Sequence, residues 1–531
     1  MHPLIELEGP PPSLDSLRGA LRGWRLEAAD ASDERTVYLD TFDWRLHRRG
    51  LHLAHRTASS VGLLELDENG DRLDLGAESA PAFARDLPSG ELADRLRSTA
   101  GPRRLFPVVR VDREITRLPV RDDLDKLVAH LEIDLRAAAR PPDGVLAVSR
   151  EGSEVAADER SPDDEAGARR LPTRLRVVPL KGFEEEARDL GDLLRAALVG
   201  LREGGEELLD ALAVWNLRPI AHGSKWLPVV GPEEPVGRVT GLFLEALRDT
   251  VVRNAPGLRQ DLDIEFLHDL RVALRRTRSL LRELAAEPEI AATDALQEEL
   301  AWLGGRTGPC RDLDVLTEAL PGYVRRLPAD ACHGIEPLVG ETRRRRSEAH
   351  AELLDDLASG RCRTLLATWG TFARELTRSR AGRPVRDVAD ERIEAVAART
   401  LEKAAEVDEA SPDRTIHRLR IRCKRLRYLL ELFRSLYPAG DVDPVVATLR
   451  RLQDRLGTFQ DLSVHGDLLR AIALEAGART SMPPAALIAT GTLLAQLQRA
   501  KRRQRRRVLG GLERFLAEEP DRVAALVGRS P

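Results

Sequence analysis

The sequence predicts a multidomain α+β protein in which a β-rich first part is followed by an all-α second part. Its 531 residues exceed three times the roughly 150 of a typical domain, so two or three cores are expected. Apolar residues alternate between about 35 and 181, which is typical of half-buried strands, and adopt helical spacing from about 183. A segment of the helical part recurs after 149 residues. This distance is too long for a solenoid repeat and indicates two similar helical bundles about a pseudo-two-fold axis.

The domain boundary is predicted from composition. Residues 151–172 are polar and mostly acidic, which indicates a long hairpin connection or a disordered loop. Three prolines and Gly231 lie between 228 and 235 and mark a linker. We therefore predict a first domain over 1–227, a linker over 228–235 and a helical domain over 236–525, with repeat halves at about 236–385 and 386–525.

The net charge has to be read by halves. The whole chain carries 83 basic and 87 acidic residues, a formal charge of −4. Residues 1–230 hold 33 basic and 42 acidic side chains, whereas residues 231–531 hold 50 and 45. The halves differ in sign, so the near-neutral total does not exclude an anionic partner for the second half.

Four separated cysteines, without a C-x-x-C pair, argue against a disulfide framework or a zinc site. The first residues lack the basic and apolar segments of a secretory signal. The longest apolar stretch, about 485–497, is shorter than the ~20 residues of a membrane span. These observations predict a cytoplasmic protein with no membrane association.

The recurring segment is basic. It reads His268-Asp-Leu-Arg-Val-Ala-Leu-Arg-Arg-Thr-Arg278 in one copy and His417-Arg-Leu-Arg-Ile-Arg-Cys-Lys-Arg-Leu-Arg427 in the other. A Leu-Gly … Asp-Leu element follows each copy. At about 100° per residue, offsets 3, 7 and 10 fall within about 80° of arc that includes the histidine. The two predicted cationic stripes are His268, Arg271, Arg275 and Arg278, extended by Arg282, and His417, Arg420, Lys424 and Arg427.

Each stripe borders the apolar face of its helix, whereas Arg276 and Arg425 are expected to be solvated. A solvated basic face is the ordinary interpretation of an arginine-rich helix. Repetition of the same offsets, and the cost of like charges near a core, favour a bound anion instead. Nucleic acid is disfavoured because stacking rings are scarce; only Tyr428 and Phe433 lie nearby. Neither motif contains a serine or cysteine nucleophile next to its histidine, so a phosphate-binding role needs fewer assumptions than catalysis.

Both signature helices, in this order and with their Asp-Leu elements, resemble the CHAD family (histidine-containing α-helical domain) over about residues 233–525. The resemblance implies two four-helix bundles that bind inorganic polyphosphate in a basic groove without catalysis. The binding residues that it implies are His268, Arg271, Arg275, Arg278, His417, Arg420, Lys424 and Arg427. Arg282, Arg306 and Arg311 are second-tier candidates. The basic runs 343–346 and 501–507 are interpreted as solvated faces, with the second also considered as an extension of the polyanion track.

Residues 4–200 resemble the CYTH family of triphosphate-tunnel barrels through Val37-Tyr-Leu-Asp-Thr-Phe-Asp-Trp-Arg-Leu46 and the strand that ends at Arg56. The resemblance implies a tunnel-like barrel in which basic residues clamp triphosphate and carboxylates hold a divalent metal.

Several positions depart from that pattern. The opening motif keeps Glu6 and Glu8 but has Pro10 in place of the lysine, and Ala54 replaces one arginine. The late strand retains Lys181 but lacks the expected glutamates. We therefore expect a degenerate, non-catalytic barrel. Glu6 and Glu8 are the candidate metal ligands, and an ordinary pair on an edge strand explains them equally well.

The sequence thus predicts a cytoplasmic protein, with association with polyphosphate granules as an open option, that binds inorganic polyphosphate. No cofactor is required for binding. The alternative is a metal-dependent triphosphatase, using Mg²⁺ or Mn²⁺, whose helical part recruits polyphosphate. Oligomeric state and preferred chain length are left open.

Overall fold

The computed structural model describes residues 5–27, 30–58, 61–66, 71–76, 80–139, 148–150, 169–198, 200, 202–203, 206–219, 223, 226–291, 293–479 and 482–528. The chain divides into two compact units, Met1–Ser224 and Lys225–Pro531. We call them the β-rich unit and the helical unit and describe each by itself. Most of the acidic segment 151–172 lies outside the described residues.

Strands dominate the β-rich unit. They are β1 (Ile5–Gly9), β2 (Arg25–Leu26), β3 (Asp30–Thr41), β4 (Leu53–Ala58), β5 (Val61–Leu66), β6 (Asp71–Gly76), β7 (Leu105–Arg121), β8 (Leu127–Ala139), β9 (Val148–Arg150), β10 (Arg169–Arg170), β11 (Thr173–Pro179), β12 (Arg202–Glu203) and β13 (Leu217–Pro219). Its helices are α1 (Leu14–Ala20), α2 (Glu91–Ala100), α3 (Glu184–Ala197) and α4 (Glu207–Ala213).

Eleven of these strands form one antiparallel sheet in the order β12-β1-β11-β8-β7-β3-β4-β5-β6, with β10 beside β8 and β2 beside β7. Leu131 and Ile133 of β8 are buried, as the alternation predicts. Leu135 should lie on the same face but is exposed, whereas its neighbours Asp134 and Arg136 are buried. Among the described residues no pairing joins the end strands β6 and β12. The β-rich prediction is confirmed, and closure into a tunnel-like barrel stays a prediction.

Helices cover parts of this sheet. Leu17 of α1 and Leu190 of α3 belong to the apolar core formed with β7, β8 and β11. Leu208 and Leu212 of α4 pack with Tyr38 of β3 and Val109 of β7. The helix α4 is therefore fixed against the two long central strands.

Ten α-helices occupy the described residues of the helical unit. They are α5 (Val236–Arg259), α6 (Ile264–Glu283), α7 (Asp294–Val324), α8 (Ala329–Gly334), α9 (Glu336–Ala358), α10 (Gly360–Thr377), α11 (Val385–Ala405), α12 (Asp413–Leu432), α13 (Ala439–Ala478) and α14 (Pro484–Val527).

These helices form two bundles. In the first, α5 packs on α6 and α10, and α7 packs on α6 and α9. In the second, α11 packs on α12 and α14, and α13 packs on α12 and α14. The single long helix α14 thus corresponds to the pair α9 and α10, which is broken at Ser359. The prediction of two similar four-helix bundles is confirmed.

Backbone hydrogen bonds show the pseudo-two-fold relation directly. The N–H of Val236 donates to the carbonyl of Arg383 (3.0 Å), and the N–H of Val385, 149 residues later, donates to the carbonyl of Glu234 (2.9 Å). Equivalent helices also meet, because α5 contacts α11 and α6 contacts α12. The two predicted binding helices are therefore neighbours.

A search of the described residues found no helix that combines the length and apolarity needed to cross a membrane.

Candidate anion-binding site

The first half of the site is built on α6. The helix begins at Asp263, whose side chain accepts the N–H of Glu265 at 2.8 Å and caps the first turn. Leu270, Leu274 and Leu281 are buried on one face. The four predicted residues of the stripe on α6 are half-buried and follow the edge of this apolar face; they are His268, Arg271, Arg275 and Arg278. Arg282 is exposed and lies 3.6 Å from Glu283.

The helix α12 repeats the arrangement. Leu419, Cys423 and Leu426 are buried, and the four predicted cationic residues are again half-buried: His417, Arg420, Lys424 and Arg427. The helical angles derived from the sequence are therefore confirmed for both helices. Five arginines and one lysine of the two stripes form what we call the seam cluster: Arg271, Arg275, Arg278, Arg420, Lys424 and Arg427.

A buried ion pair joins the two helices. Arg276 of α6 donates from Nη2 to Oε2 of Glu431 on α12 at 2.7 Å, and Arg450 donates to Oε1 of the same carboxylate at 2.9 Å. Burial raises the pKa of Glu431, but these guanidinium groups outweigh it and hold the pKa below its usual range.

The expectation that Arg276 is solvated was wrong, since its side chain is 4% exposed. The acid on the neighbouring helix could not be seen from the α6 sequence. Arg425 is half-buried.

Like charges meet across this contact. Burial and the nearby guanidinium groups of Arg275, Arg420 and Arg427 lower the pKa of Lys424 to about 6. Burial and Arg275 also lower the pKa of Arg271, to about 10. Arg275 therefore affects cations on both helices, and the two predicted stripes converge in one site.

Two aspartates face the cations from the adjoining helices. Asp312 of α7 lies near Arg271 and Arg420, and Asp461 of α13 lies near Arg420 and Lys424. Burial raises the pKa of both carboxyl groups despite these cations. Sequence reasoning gave neither aspartate a role, although both belong to the repeated Asp-Leu element and are separated by the same 149 residues.

Some site residues are held by neutral partners. Arg271 donates from Nη1 to Oγ1 of Thr307 at 2.6 Å and to the carbonyl of Gly304 at 3.2 Å. His417 Nδ1 donates to Oε1 of Gln460 at 2.8 Å. These contacts hold the two side chains in place, and none of the partners is an acid.

Other members of the seam cluster have no such partner. Within the described part of the chain, four of them make no hydrogen bond or ion pair: Arg275, Arg278, Arg420 and Lys424. Half-buried cations that form no ion pair are unfavourable, because desolvation destabilises their charged form. An anion that reached them would relieve both burial and mutual repulsion.

The second-tier residues have structural partners. Arg311 donates from Nη1 to the carbonyl of Ile264 at 3.0 Å, next to the first turn of α6. Arg306 pairs with Asp356 of α9. In the basic run 343–346, Arg344, Arg345 and Arg346 pair with acids. The side chains of Arg345 and Arg346 are only 20% and 16% exposed, so this run is a paired surface more than a solvated one. These contacts set the unpaired cations of the seam cluster apart.

The β-rich unit contains a second group of arginines, and its charges are balanced internally. Arg113 of β7 and Arg136 of β8 both pair with Glu207 of α4. Arg136 and Arg174 each donate to Oε1 of Glu8 at 2.6 Å. Burial raises the pKa of Glu207, but the arginines outweigh it and lower the pKa to about 2.

This network bears on the predicted metal ligands. Glu8 is fully buried, and hydrogen bonds from Arg174 and Arg136 outweigh burial and lower its pKa. Such surroundings oppose a second cation at this carboxylate. The backbone of Glu6 lies in β1, and its side chain is outside the described part of the structure. Ligation by Glu6 and Glu8 stays a prediction. Glu207 was missed because no sequence motif links α4 to strands about a hundred residues earlier.

Comparison with known proteins identifies part of the helical unit. Residues 242–470 match the family model of the CHAD domain. Two curated relatives from Mycobacterium tuberculosis, the proteins MT2285 and Rv2226, are each 28% identical over 290 residues, which is 51% of this chain and 53% of theirs. The chain therefore spans about half the length of the curated relatives that it matches.

Solved structures are also similar to this chain. The CHAD domain from Ricinus communis is 26% identical with a TM-score of 0.48, covering 54% of this chain and 95% of that one. PptA from Streptomyces chartreusis is 21% identical with a TM-score of 0.41, covering 53% and 100%. A putative adenylate cyclase from Bacillus halodurans is 14% identical with a TM-score of 0.24, covering 38% and 94%. By the family match, residues 242–470 form a CHAD domain.

We predict that Glu207→Gln destabilises the β-rich unit by about 3–5 kcal/mol, because it leaves buried arginines without their anion. The pKa of Glu207 in the folded chain, about 2, lies below its ordinary value of 4.5. Its contribution is therefore present above pH ~4.5 and is lost as the pH falls toward 2. Urea unfolding measured at pH 7 and at pH 3 tests both statements.

The exposed Glu185 on α3 supplies the control. Glu185→Gln should change the unfolding free energy by less than about 0.5 kcal/mol. Equal effects of the two substitutions would contradict the assigned role of Glu207.

Proposed function

We propose that the helical unit binds inorganic polyphosphate through the seam cluster, and that the β-rich unit is non-catalytic. The observation that carries the proposal is the set of half-buried, unpartnered cations shared by α6 and α12. The lowered pKa values of Arg278, Arg420 and Lys424 record an electrostatic cost that a multivalent anion would offset. The match to the CHAD domain, a family associated with polyphosphate binding, supports the choice of ligand.

The shape of the cluster favours a linear anion. At 1.5 Å rise per residue, the stripe from His268 to Arg282 extends about 21 Å and the stripe from His417 to Arg427 about 15 Å. Cations repeat along each stripe at one-turn intervals. A chain of phosphates can contact successive turns, whereas a single phosphate reaches only a few of these residues.

The aromatic residues near the cluster favour phosphate over nucleobases. Tyr428 is 4% exposed, and Phe433 is fully buried. The guanidinium groups of Arg276 and Arg427 lie 6.0 and 5.4 Å from the centre of the Tyr428 ring. A ring that is buried and covered in this way cannot act as a platform for base stacking.

The interior of the β-rich unit supports the non-catalytic part of the proposal. Arg113, Arg136 and Arg174 are the buried cations that could clamp a phosphate, and they are bound to Glu8 and Glu207. A phosphate substrate could bind these arginines only by displacing the two buried carboxylates. The carboxylates of Glu8 and Glu207 therefore already neutralise the cations that would otherwise bind phosphate.

The binding prediction concerns one cation from each helix. Arg275→Glu combined with Lys424→Glu should weaken binding of long-chain polyphosphate at least about a hundredfold, because two attractions become repulsions. Fluorescence anisotropy with labelled polyphosphate measures the dissociation constant, and circular dichroism checks that the helices are retained. Binding should persist in EDTA and weaken with added salt.

The matched control reverses two exposed arginines outside the cluster, Arg343 and Arg374. We expect less than about a threefold change for that variant. Equal losses in both variants would indicate a general charge effect and would contradict a defined site.

The pH prediction concerns Lys424. Its pKa of about 6 reflects burial and the facing groups Arg275, Arg420 and Arg427, opposed by Asp461. Bound phosphate raises that pKa, so binding takes up a proton at pH values above 6. Affinity should fall between pH 7 and 9 by up to about tenfold per unit. Lys424→Arg, which stays charged throughout, should flatten this dependence in the same titration. An unchanged slope would show that Lys424 is not the proton acceptor.

The enzyme alternative is tested by phosphate release. We expect no turnover of tripolyphosphate by the full chain with Mg²⁺ or Mn²⁺, because the arginines of the β-rich unit are already neutralised. A colorimetric phosphate assay is sufficient. Turnover that is abolished by Glu8→Gln, but retained by Glu185→Gln, would overturn the non-catalytic assignment.

A further inference from the structure

A second concentration of positive charge lies on α14, outside the seam cluster. No acidic residue occurs between Met482 and Leu512. Five arginines in this segment are exposed, and we call them the outer arginine face: Arg499, Arg502, Arg503, Arg506 and Arg507. At about 100° per residue they fall within roughly 140° of arc, opposite the buried Leu497, Gln504 and Val508.

The outer arginine face is not neutralised by its surroundings. Within the described residues none of its five arginines makes an ion pair. In the similar run on α9, by contrast, Arg344 pairs with Glu341 at 2.7 Å and Arg346 with Asp314 at 2.8 Å. Like charges one turn apart on a helix are mutually unfavourable. The arginines of the α9 run are thus neutralised by acids, whereas the outer arginine face on α14 has no ion pair with the described residues.

A neighbouring helix adds to the same face. Arg455 of α13 donates from Nη1 to the carbonyl of Arg507 at 3.3 Å. A Cβ atom at Gly511 would lie only 2.6 Å from that Nη1. The absence of a side chain at Gly511 therefore lets the Arg455 guanidinium pack against α14 beside the exposed arginines.

Two further contacts connect α14 with the end of the α12 stripe. His417 bonds to Gln460 of α13, and Lys501 of α14 donates to Oγ of Ser463, about one turn further along α13, at 2.9 Å. Lys501 and Arg505 also pair with Asp413 in the first turn of α12, at 2.5 and 3.2 Å. Lys501 and Arg505 thus place α14 beside the N-terminal end of α12, where the cationic stripe of that helix begins.

We propose that the outer arginine face is a second binding surface for the part of a long polyphosphate chain that extends beyond the seam cluster. The proposal rests on the proposed function of that cluster. A chain already held at the seam is presented to α14 at high effective concentration, so weak exposed contacts add substantially to its affinity. The only aromatic residue of α14, Phe515, is buried, which favours phosphates over stacked bases as the ligand. The face therefore makes affinity depend on chain length.

The test removes four charges from the face: Arg502→Gln, Arg503→Gln, Arg506→Gln and Arg507→Gln. A matched control removes four exposed arginines elsewhere on the helical unit: Arg343→Gln, Arg374→Gln, Arg378→Gln and Arg380→Gln. Both variants of the full chain are titrated with tripolyphosphate and with long-chain polyphosphate, and circular dichroism checks their folding.

For the face variant we expect Kd for long-chain polyphosphate to rise at least about tenfold, with Kd for tripolyphosphate unchanged within about twofold. The slope of log Kd against log salt should fall by about three, because each neutralised phosphate contributes roughly 0.7–0.9. The control should alter long-chain binding less than about threefold. Wild-type affinity for long chains in the face variant, or equal losses in both variants, would overturn the proposal.

Two comparisons separate this inference from its premise. If Arg275→Glu with Lys424→Glu leaves both ligands bound, the proposed function itself fails. If that variant loses both ligands and the face variant loses neither, only the role of α14 fails. Loss of single-stranded RNA binding in the face variant, with long-chain polyphosphate still bound, would identify a nucleic-acid surface instead and would also overturn the proposal.

Discussion

Repulsion between like charges at the contact of α6 and α12 is the constraint around which the helical unit is arranged. It lowers the pKa of Lys424, already reduced by burial, to about 6. Each helix is nevertheless anchored in its own bundle by buried leucines, such as Leu270 on α6 and Leu419 on α12. Burying one such side chain contributes about 1.5–3 kcal/mol. Across the contact of the two helices, Glu431 of α12 binds Arg276 of α6 and so supplies one attraction among the repelling cations.

The two units use buried arginine in opposite ways. In the β-rich unit, Arg113, Arg136 and Arg174 share Glu8 and Glu207, so their charges are satisfied within the chain. In the helical unit, Arg275 and Arg420 make no hydrogen bond or ion pair with any described residue. Arginine content alone cannot distinguish these cases. The difference lies in whether a carboxylate from another element lies within reach of the guanidinium group, which is why paired and unpaired arginines occur in one chain.

Sequence reasoning succeeded where the information is local to one helix. The angular positions of Arg271, Arg275 and Lys424 follow from 3.6 residues per turn, and the 149-residue displacement predicted that two such helices would be related. It failed for Arg276 because the partner Glu431 is 155 residues away and its side chain is brought close only by the contact of α6 with α12. Glu207 was missed for the same reason, and the contribution of Asp461 to the site depends on how α13 packs. Long-range pairing of polar groups is a property of the tertiary fold.

The unpaired cations also bear on the proposed preference of the seam cluster for multivalent anions. A monovalent anion that entered the seam would neutralise one charge and still leave guanidinium groups such as those of Arg275 and Arg420 repelling one another. A chain of phosphates supplies several negative charges at fixed spacing, so each added contact removes part of the remaining repulsion. The entropy of association is lost only once for the whole chain, however many contacts it makes. Asp312 and Asp461 sharpen this preference, because a weakly charged ligand gains too little to overcome their opposition. The two acids thus reduce repulsion among the cations and, under the proposed function, raise the charge that a ligand must carry to bind.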